Sequence, residues 1–149
     1  MESDLAVERL RSYSPQDAAE IGQLLHILSP KFPNAPPSDD LLRAIIDSPL
    51  CEQLVARLDG KIVGIATLST TVGVGVGHKA YLEDFVVNPV LQGHGVGTAI
   101  WNEITIWCRE KNIKLHFTSN AKREEAHRFY LKHGANVYDT VVFNYDPLD

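Results

Sequence analysis

The stretch from Ala80 to Thr98 constrains the fold more than any other part of the chain. It begins with Tyr81, Leu82, Phe85, Val86 and Val87 in one short run, stops at Asn88-Pro89, and passes through Gln92-Gly93-His94-Gly95-Val96-Gly97-Thr98. Such a run reads as a largely buried strand over Ala80 to Val87, ended by the restriction that proline places on the residue before it. After the glycines, Ile100, Ile104, Trp107 and Cys108 fall on one face of a helix running from about Gly95 to Lys111. A buried strand that turns through glycines into an amphipathic helix calls for a sheet with that helix packed on it. The three glycines also lie where backbone N–H groups at a helix N-terminus can converge on an anion. A ligand-free turn would use glycines in the same way, and short glycine motifs alone discriminate poorly. The Lys-Ser/Thr pair of a nucleoside triphosphate loop is missing, and the parallel βαβ start of a dinucleotide fold is absent. Gly73-Val74-Gly75-Val76-Gly77 leads into a strand, not a helix, and reads as a mobile loop.

The other segments fill in the sheet and its cover. Asp59-Gly60 joins two β-type runs, Gln53 to Leu58 and Lys61 to Ser69, as antiparallel neighbours. Ser14-Pro15 precedes a helical pattern of Ala18, Ile21, Leu24, Leu25 and Leu28. Residues 29–37 hold four of the eight prolines, so they form an irregular loop of the kind that often serves as a lid or binding wall. Ser38 caps a short helix through Leu41, Leu42, Ile45 and Ile46. Ala6 to Tyr13 is a weakly alternating edge strand, and Lys114 to Thr118 a short one. Ala126, Phe129, Tyr130 and His133 share a face of a late helix closed by Gly134, and Val137 to Tyr145 reads as a closing strand. With no repeat and no linker, the expectation is one domain over 1–149 of the α/β class: a mixed sheet flanked by helices, in the order (β)ααβββαβαβ.

Charge and cysteine usage narrow the partners. Fourteen Lys and Arg against nineteen Asp and Glu leave a net charge of -5, which disfavours nucleic acid and anionic membrane surfaces. No apolar run approaches the roughly 18 residues that a membrane span needs. The start Met1-Glu2-Ser3-Asp4 has neither a basic nor an apolar region of the secretory type, so a cytoplasmic chain with Cys51 and Cys108 as free thiols is expected. The two cysteines and six histidines match no metal-ligand spacing, and no metal is expected.

Gln92-x-x-Gly95-x-Gly97 after a strand resembles the Arg/Gln-x-x-Gly-x-Gly/Ala acetyl-CoA motif of the GCN5-related N-acetyltransferases (GNAT). Asn120, Arg123, Ala126, Phe129-Tyr130 and Gly134 resemble that family's late pattern, and the likeness runs over residues 6–146. It implies a helix pair after the first strand, three antiparallel strands, a helix at the pyrophosphate, and a central sheet that splays after its fourth strand. Two positions depart from the pattern. Gln92 stands where arginine is commoner, which removes a cation but leaves the backbone donors, and Ala135 follows Gly134 where an aromatic is usual.

The resemblance also implies a chemistry: an amine attacks the thioester of acetyl-CoA directly, so the site needs a neutral amine, an oxyanion donor and a proton for the departing thiolate. Gln92, Gly93, His94, Gly95, Val96, Gly97 and Thr98 would bind the pyrophosphate, Phe85, Val86 and Val87 the pantetheine arm, and Asn120 would reach the cofactor. Tyr130 takes the place of the general acid. On the acceptor side, Glu83-Asp84 interrupts an apolar strand, where a carboxylate needs a partner or a task. Strict alternation sends the two side chains to opposite faces, Glu83 to bind or deprotonate the amine and Asp84 to a structural pairing near the substrate. Asp84, His78 and His116 remain alternative bases. Leu82-Glu83-Asp84-Phe85 is similar to the polyamine (spermidine/spermine) branch, so a small-molecule primary amine is the expected acceptor. Hexosamine-phosphate or peptide acetylation, and a non-catalytic acyl-CoA-binding module, are the alternatives. Homodimers are common in that family, and the sequence shows no interface.

Overall fold

The computed structural model describes residues 4–148; the opening Met1-Glu2-Ser3, part of the stretch read above as lacking a secretory signal, lies outside them. The described chain forms two compact units, one ending at Phe117 and one beginning at Thr118. The first holds strands β1 (Leu5–Arg9), β2 (Cys51–Leu58), β3 (Lys61–Gly73), β4 (Gly77–Val87) and β5 (Leu115–His116). It also holds helices α1 (Pro15–Leu28), α2 (Asp39–Asp47) and α3 (Val96–Lys111), with a 3₁₀ turn over Pro89–Leu91. The sheet runs in chain order from β1 to β5; the first four strands are antiparallel and β5 is parallel to β4. No described helix is long and apolar enough to cross a membrane.

Local signals set most boundaries. Ser14 Oγ accepts the amide of Asp17 at 3.0 Å and Pro15 opens α1, while Ser38 accepts the amide of Leu41. Asp59 and Gly60 take φ of 51° and 84°, the left-handed pair that lets a two-residue turn follow the twist of its strands. On one face of the sheet, Ala18, Ile21 and Leu24 of α1 and Leu42 of α2 pack with Val55, Ile62, Ile65 and Val86. The other face carries α3, whose Ile100, Ile104 and Trp107 are buried. A side chain at Gly64 would collide with Ile100 Cδ1 and crowd Val96, so this glycine lets the first turns of α3 settle directly on β3. That contact fixes where the helix begins, opposite the end of β4, because Gly64 pairs with Val87.

Three sequence expectations need correction. The strand expected over Ala6 to Tyr13 is Leu5–Arg9. Gly73 to Gly77, expected as a mobile loop, is the tip of a hairpin: β3 and β4 stay paired out to Gly73 and Gly77, because Thr70, Thr71 and Val72 are β-branched and only Val74 to Val76 are needed to turn. The glycine density masked that pairing. Residues 137–145, expected as a strand, are irregular, with Val137, Val141, Val142, Phe143 and Tyr145 exposed. Their composition is β-prone, yet β-propensity expresses itself only against a packed neighbour. The second unit instead contains α4 (Glu124–Lys132), followed by Gly134 at φ 98°.

Candidate active site

The strand-to-helix junction is built around a helix start without its own cap. Gly95 stands at the N-cap of α3 with φ 83° and makes no side-chain capping bond. The first amides of any helix lack intrahelical acceptors, and the helix dipole adds partial positive charge at this end. Gly93 is also left-handed, at φ 85°, and a Cβ on either glycine would meet nothing within 4 Å. Handedness, not crowding, therefore calls for glycine. Gln92, Gly93, His94, Gly95 and Thr98 are exposed, Gly97 is half-buried and Val96 is buried as the anchor. This arrangement suits a phosphate group approaching from solvent.

β4 delivers the carboxylates. Leu82 pairs with Leu68 and Phe85 with Ala66, so Glu83 and Asp84 together oppose the single residue Thr67. Such a bulge breaks the alternation. Leu82 lies on the α3 side with Leu68, whereas Val86 packs with α1 and α2. Between them, Glu83 and Asp84 both fall on the α1/α2 side, not on the opposite faces expected from regular pleating. Glu83 is exposed and, among the described residues, makes no hydrogen bond or ion pair. Asp84 is half-buried, with Oδ2 3.2 Å from Thr67 Oγ1. Thr67 and Gln53, both buried, had no distinguishing signal in the sequence beyond a glutamine among the apolar residues of β2.

The ladder between β4 and β5 involves only Ala80 with Leu115 and Tyr81 with His116. β5 ends at His116, so Phe85, Val86 and Val87 lie beyond the residues of β4 that pair with it. Trp101 and Trp107 are buried packing residues, with Trp101 edge-on to Phe117. His78 is exposed, and His116 is half-buried in β5.

In the second unit, Tyr130 lies on α4 with its ring edge-on to Phe129. Burial raises its phenol above the ordinary value, while the charge and hydrogen bond of Arg123 draw it back. A phenol raised in this way remains protonated at neutral pH. Asn120 is exposed, and its Oδ1 accepts the amide of Lys122 at 2.9 Å. The structure thus gathers Glu83 and Asp84 on one sheet face in the first unit, and places Tyr130 and Asn120 in the second.

The model of the Acetyltransferase (GNAT) family matches residues 21–135. Aminoglycoside N(6′)-acetyltransferase type 1 of Stenotrophomonas maltophilia is 28% identical over 145 residues, 94% of each chain. Among solved structures, an aminoglycoside acetyltransferase from an uncultured soil metagenomic sample in complex with sisomicin has a TM-score of 0.83, at 20% identity and 97% coverage of both chains. A transcriptional regulator from Bacillus halodurans C-125 has a TM-score of 0.80 at 18% identity, covering 95% of this chain and 100% of that one. Structures bearing such different names share the fold, and fold does not choose an acceptor. The family match takes in the bulged strand, the uncapped turn and the tyrosine helix, and the chain belongs to the GNAT family of acetyltransferases.

Proposed function

We propose that this acetyltransferase moves the acetyl group of acetyl-CoA to a primary amine on a polycationic small molecule, with amino sugars of the aminoglycoside type as the leading class. The observation that carries this reading is the bulge, which turns two carboxylates to one side of the strand that runs into the uncapped glycine turn. An unperturbed amine near pKa 10.4 is charged at neutral pH, so an acceptor site must first attract a cation and then remove a proton. Paired carboxylates serve both needs. The relative in Stenotrophomonas maltophilia supports the amino-sugar class. The run Leu82-Glu83-Asp84-Phe85 favours a polyamine as second reading.

The backbone from Gln92 to Thr98 holds the pyrophosphate, which fits the left-handed glycines and the open space above them. Phe85, Val86 and Val87 line the pantetheine arm, and Asn120 reaches the cofactor. Acetyl-CoA supplies an activated thioester to the amine. Glu83 and Asp84 hold the acceptor's charge, one of the two accepts its proton, and Tyr130 Oη donates a proton toward the departing sulfur.

Thiol release from acetyl-CoA with sisomicin, spermidine, glucosamine 6-phosphate and a peptide amine tests the acceptor. The expected order places sisomicin first; spermidine first would transfer the assignment to polyamines, and no release with any amine would overturn the reading. With the best amine, Tyr130→Phe should lower kcat by about a hundredfold while the KM for acetyl-CoA stays near wild type. Equal turnover would return Tyr130 to packing.

A further inference from the structure

Behind the bulge lies a buried polar chain in a face that is otherwise apolar. Gln53 in β2 pairs with Thr67 in β3, and their neighbours Val55 and Ile65 are core residues on the α1/α2 side. Gln53 is 3% exposed and Thr67 6%. Gln53 Nε2 lies 3.3 Å from the carbonyl oxygens of both Leu54 and Ala66. A carbonyl oxygen only accepts, so the nitrogen must face those two groups and Oε1 must face Thr67. Thr67 Oγ1 is 2.9 Å from Gln53 Oε1 and 3.2 Å from Asp84 Oδ2.

Counting protons decides what this chain does. The hydroxyl has one hydrogen, and Gln53 Oε1 can only accept it. When Asp84 carries a proton, Asp84 donates to Thr67 and Thr67 donates to Gln53, so every contact is made. When Asp84 is ionised, carboxylate and amide oxygen compete for one hydrogen, and one of them loses its bond. Gln53 and Thr67 are buried and Asp84 is half-buried, so the protonated carboxyl completes the chain of contacts, whereas the ionised one leaves the single Thr67 hydrogen shared between two acceptors. Glu83, beside it on the bulge, has no such partner and stays in solvent.

We infer that Thr67 and Gln53 are positioning residues that make Asp84, of the two carboxylates, the one that takes the proton from the acceptor ammonium. The N–H bond of the ammonium breaks as an O–H bond forms on Asp84, the electron pair remaining on nitrogen as the nucleophile. Thr67 keeps its own proton, donated to Gln53. Glu83 supplies charge without exchanging a proton. This assignment rests on the acetyl-transfer reading above and reverses the roles that regular alternation gave the two acids.

The test compares Thr67→Val and Thr67→Ser in the full chain, using acetyl-CoA and the best amine. Thr67→Val should lower kcat about tenfold or more, with the KM for acetyl-CoA unchanged, because it acts through Asp84. Thr67→Ser retains the hydroxyl and should restore most of the rate. In an Asp84→Asn background, Thr67→Val should add little, since its effect needs the carboxyl. If Thr67→Val does not fold, Thr67→Ala removes the same hydroxyl without setting a methyl against Gln53 Oε1. Wild-type kcat in the variant lacking the hydroxyl, or a serine variant no better than it, would overturn the inference alone. An equal further loss in the Asp84→Asn background would do the same. Absence of thiol release by the wild-type protein with every amine would instead overturn the acetyl-transfer reading, and this inference with it.

Discussion

At the start of α1, Ser14 Oγ takes the amide of Asp17, Pro15 fills the first position, and the Asp17 carboxylate meets the Arg57 guanidinium through two contacts of 2.8 and 2.9 Å. At the start of α3, Gly95 is left-handed and makes no side-chain capping bond. Both helices pack an apolar face on the same sheet, so packing does not explain the difference. The first N-terminus is completed from within the chain, capped and neutralised by its own residues. The second has no side-chain capping bond at its N-cap, which leaves the positive end of its dipole available to the pyrophosphate proposed above. The contrast sets a helix end completed by the fold against one proposed to serve a ligand.

The sharpest way to break that contrast is Gly95→Val. A β-branched residue is strained at φ 83°, and its side chain would enter the open space proposed to take the phosphate. Millimolar acetyl-CoA should raise the melting temperature of the wild type, by about 2.7 kcal/mol of stabilisation at a hundredfold excess over Kd. The folded variant should show no shift. A full shift in thermal melts of Gly95→Val would mean that the anion binds elsewhere.

Asp17→Asn probes the completed end, and here the loss should fall on the unliganded fold. Removing a half-shielded, two-point ion pair should cost about 2 kcal/mol at neutral pH, read as a lower urea midpoint, with the acetyl-CoA shift intact. The hydrogen bond from Arg57 holds the Asp17 carboxyl below its ordinary value. A group depressed in this way stabilises the fold fully above its unfolded value, near 3.8, and loses that contribution as pH falls through the folded value. The gap between wild type and variant should therefore close on acidification below about pH 4. A gap that stayed constant to pH 2 would mean that charge at Asp17 does not matter.

Ser14→Ala should have the smallest effect, about 1 kcal/mol of stability for one lost cap. Turnover and acetyl-CoA binding should remain unchanged in activity and melting assays. A cofactor effect comparable to that of Gly95→Val would erase the distinction between the two helix ends.

Much of this was legible without coordinates because the signals are local. Asp59-Gly60 needs only its own backbone to make a hairpin turn, and Ser14-Pro15 needs only the next three residues to start a helix. The glycine turn was legible for the same reason, since left-handed φ is a property of single residues. The tip at Gly73–Gly77 was misread because glycine count says nothing about whether β-branched neighbours find a partner strand. The stretch over 137–145 was misread the other way: its residues favour strands, and no local pattern tells whether a strand will form.

The amino-acid sequence by itself determined the order of the elements from the first strand to the tyrosine helix, the place of the uncapped turn and the presence of Glu83 and Asp84, since each follows from nearby residues and the limits of backbone conformation. Tertiary structure alone decided which way those acids point. One extra residue in β4 against Thr67 moves both to the same side, and a pairing between strands far apart in sequence brings Gln53 and Thr67 behind Asp84. Register is a relation between two strands, fixed by how their apolar faces meet across the sheet, and neither strand carries it alone.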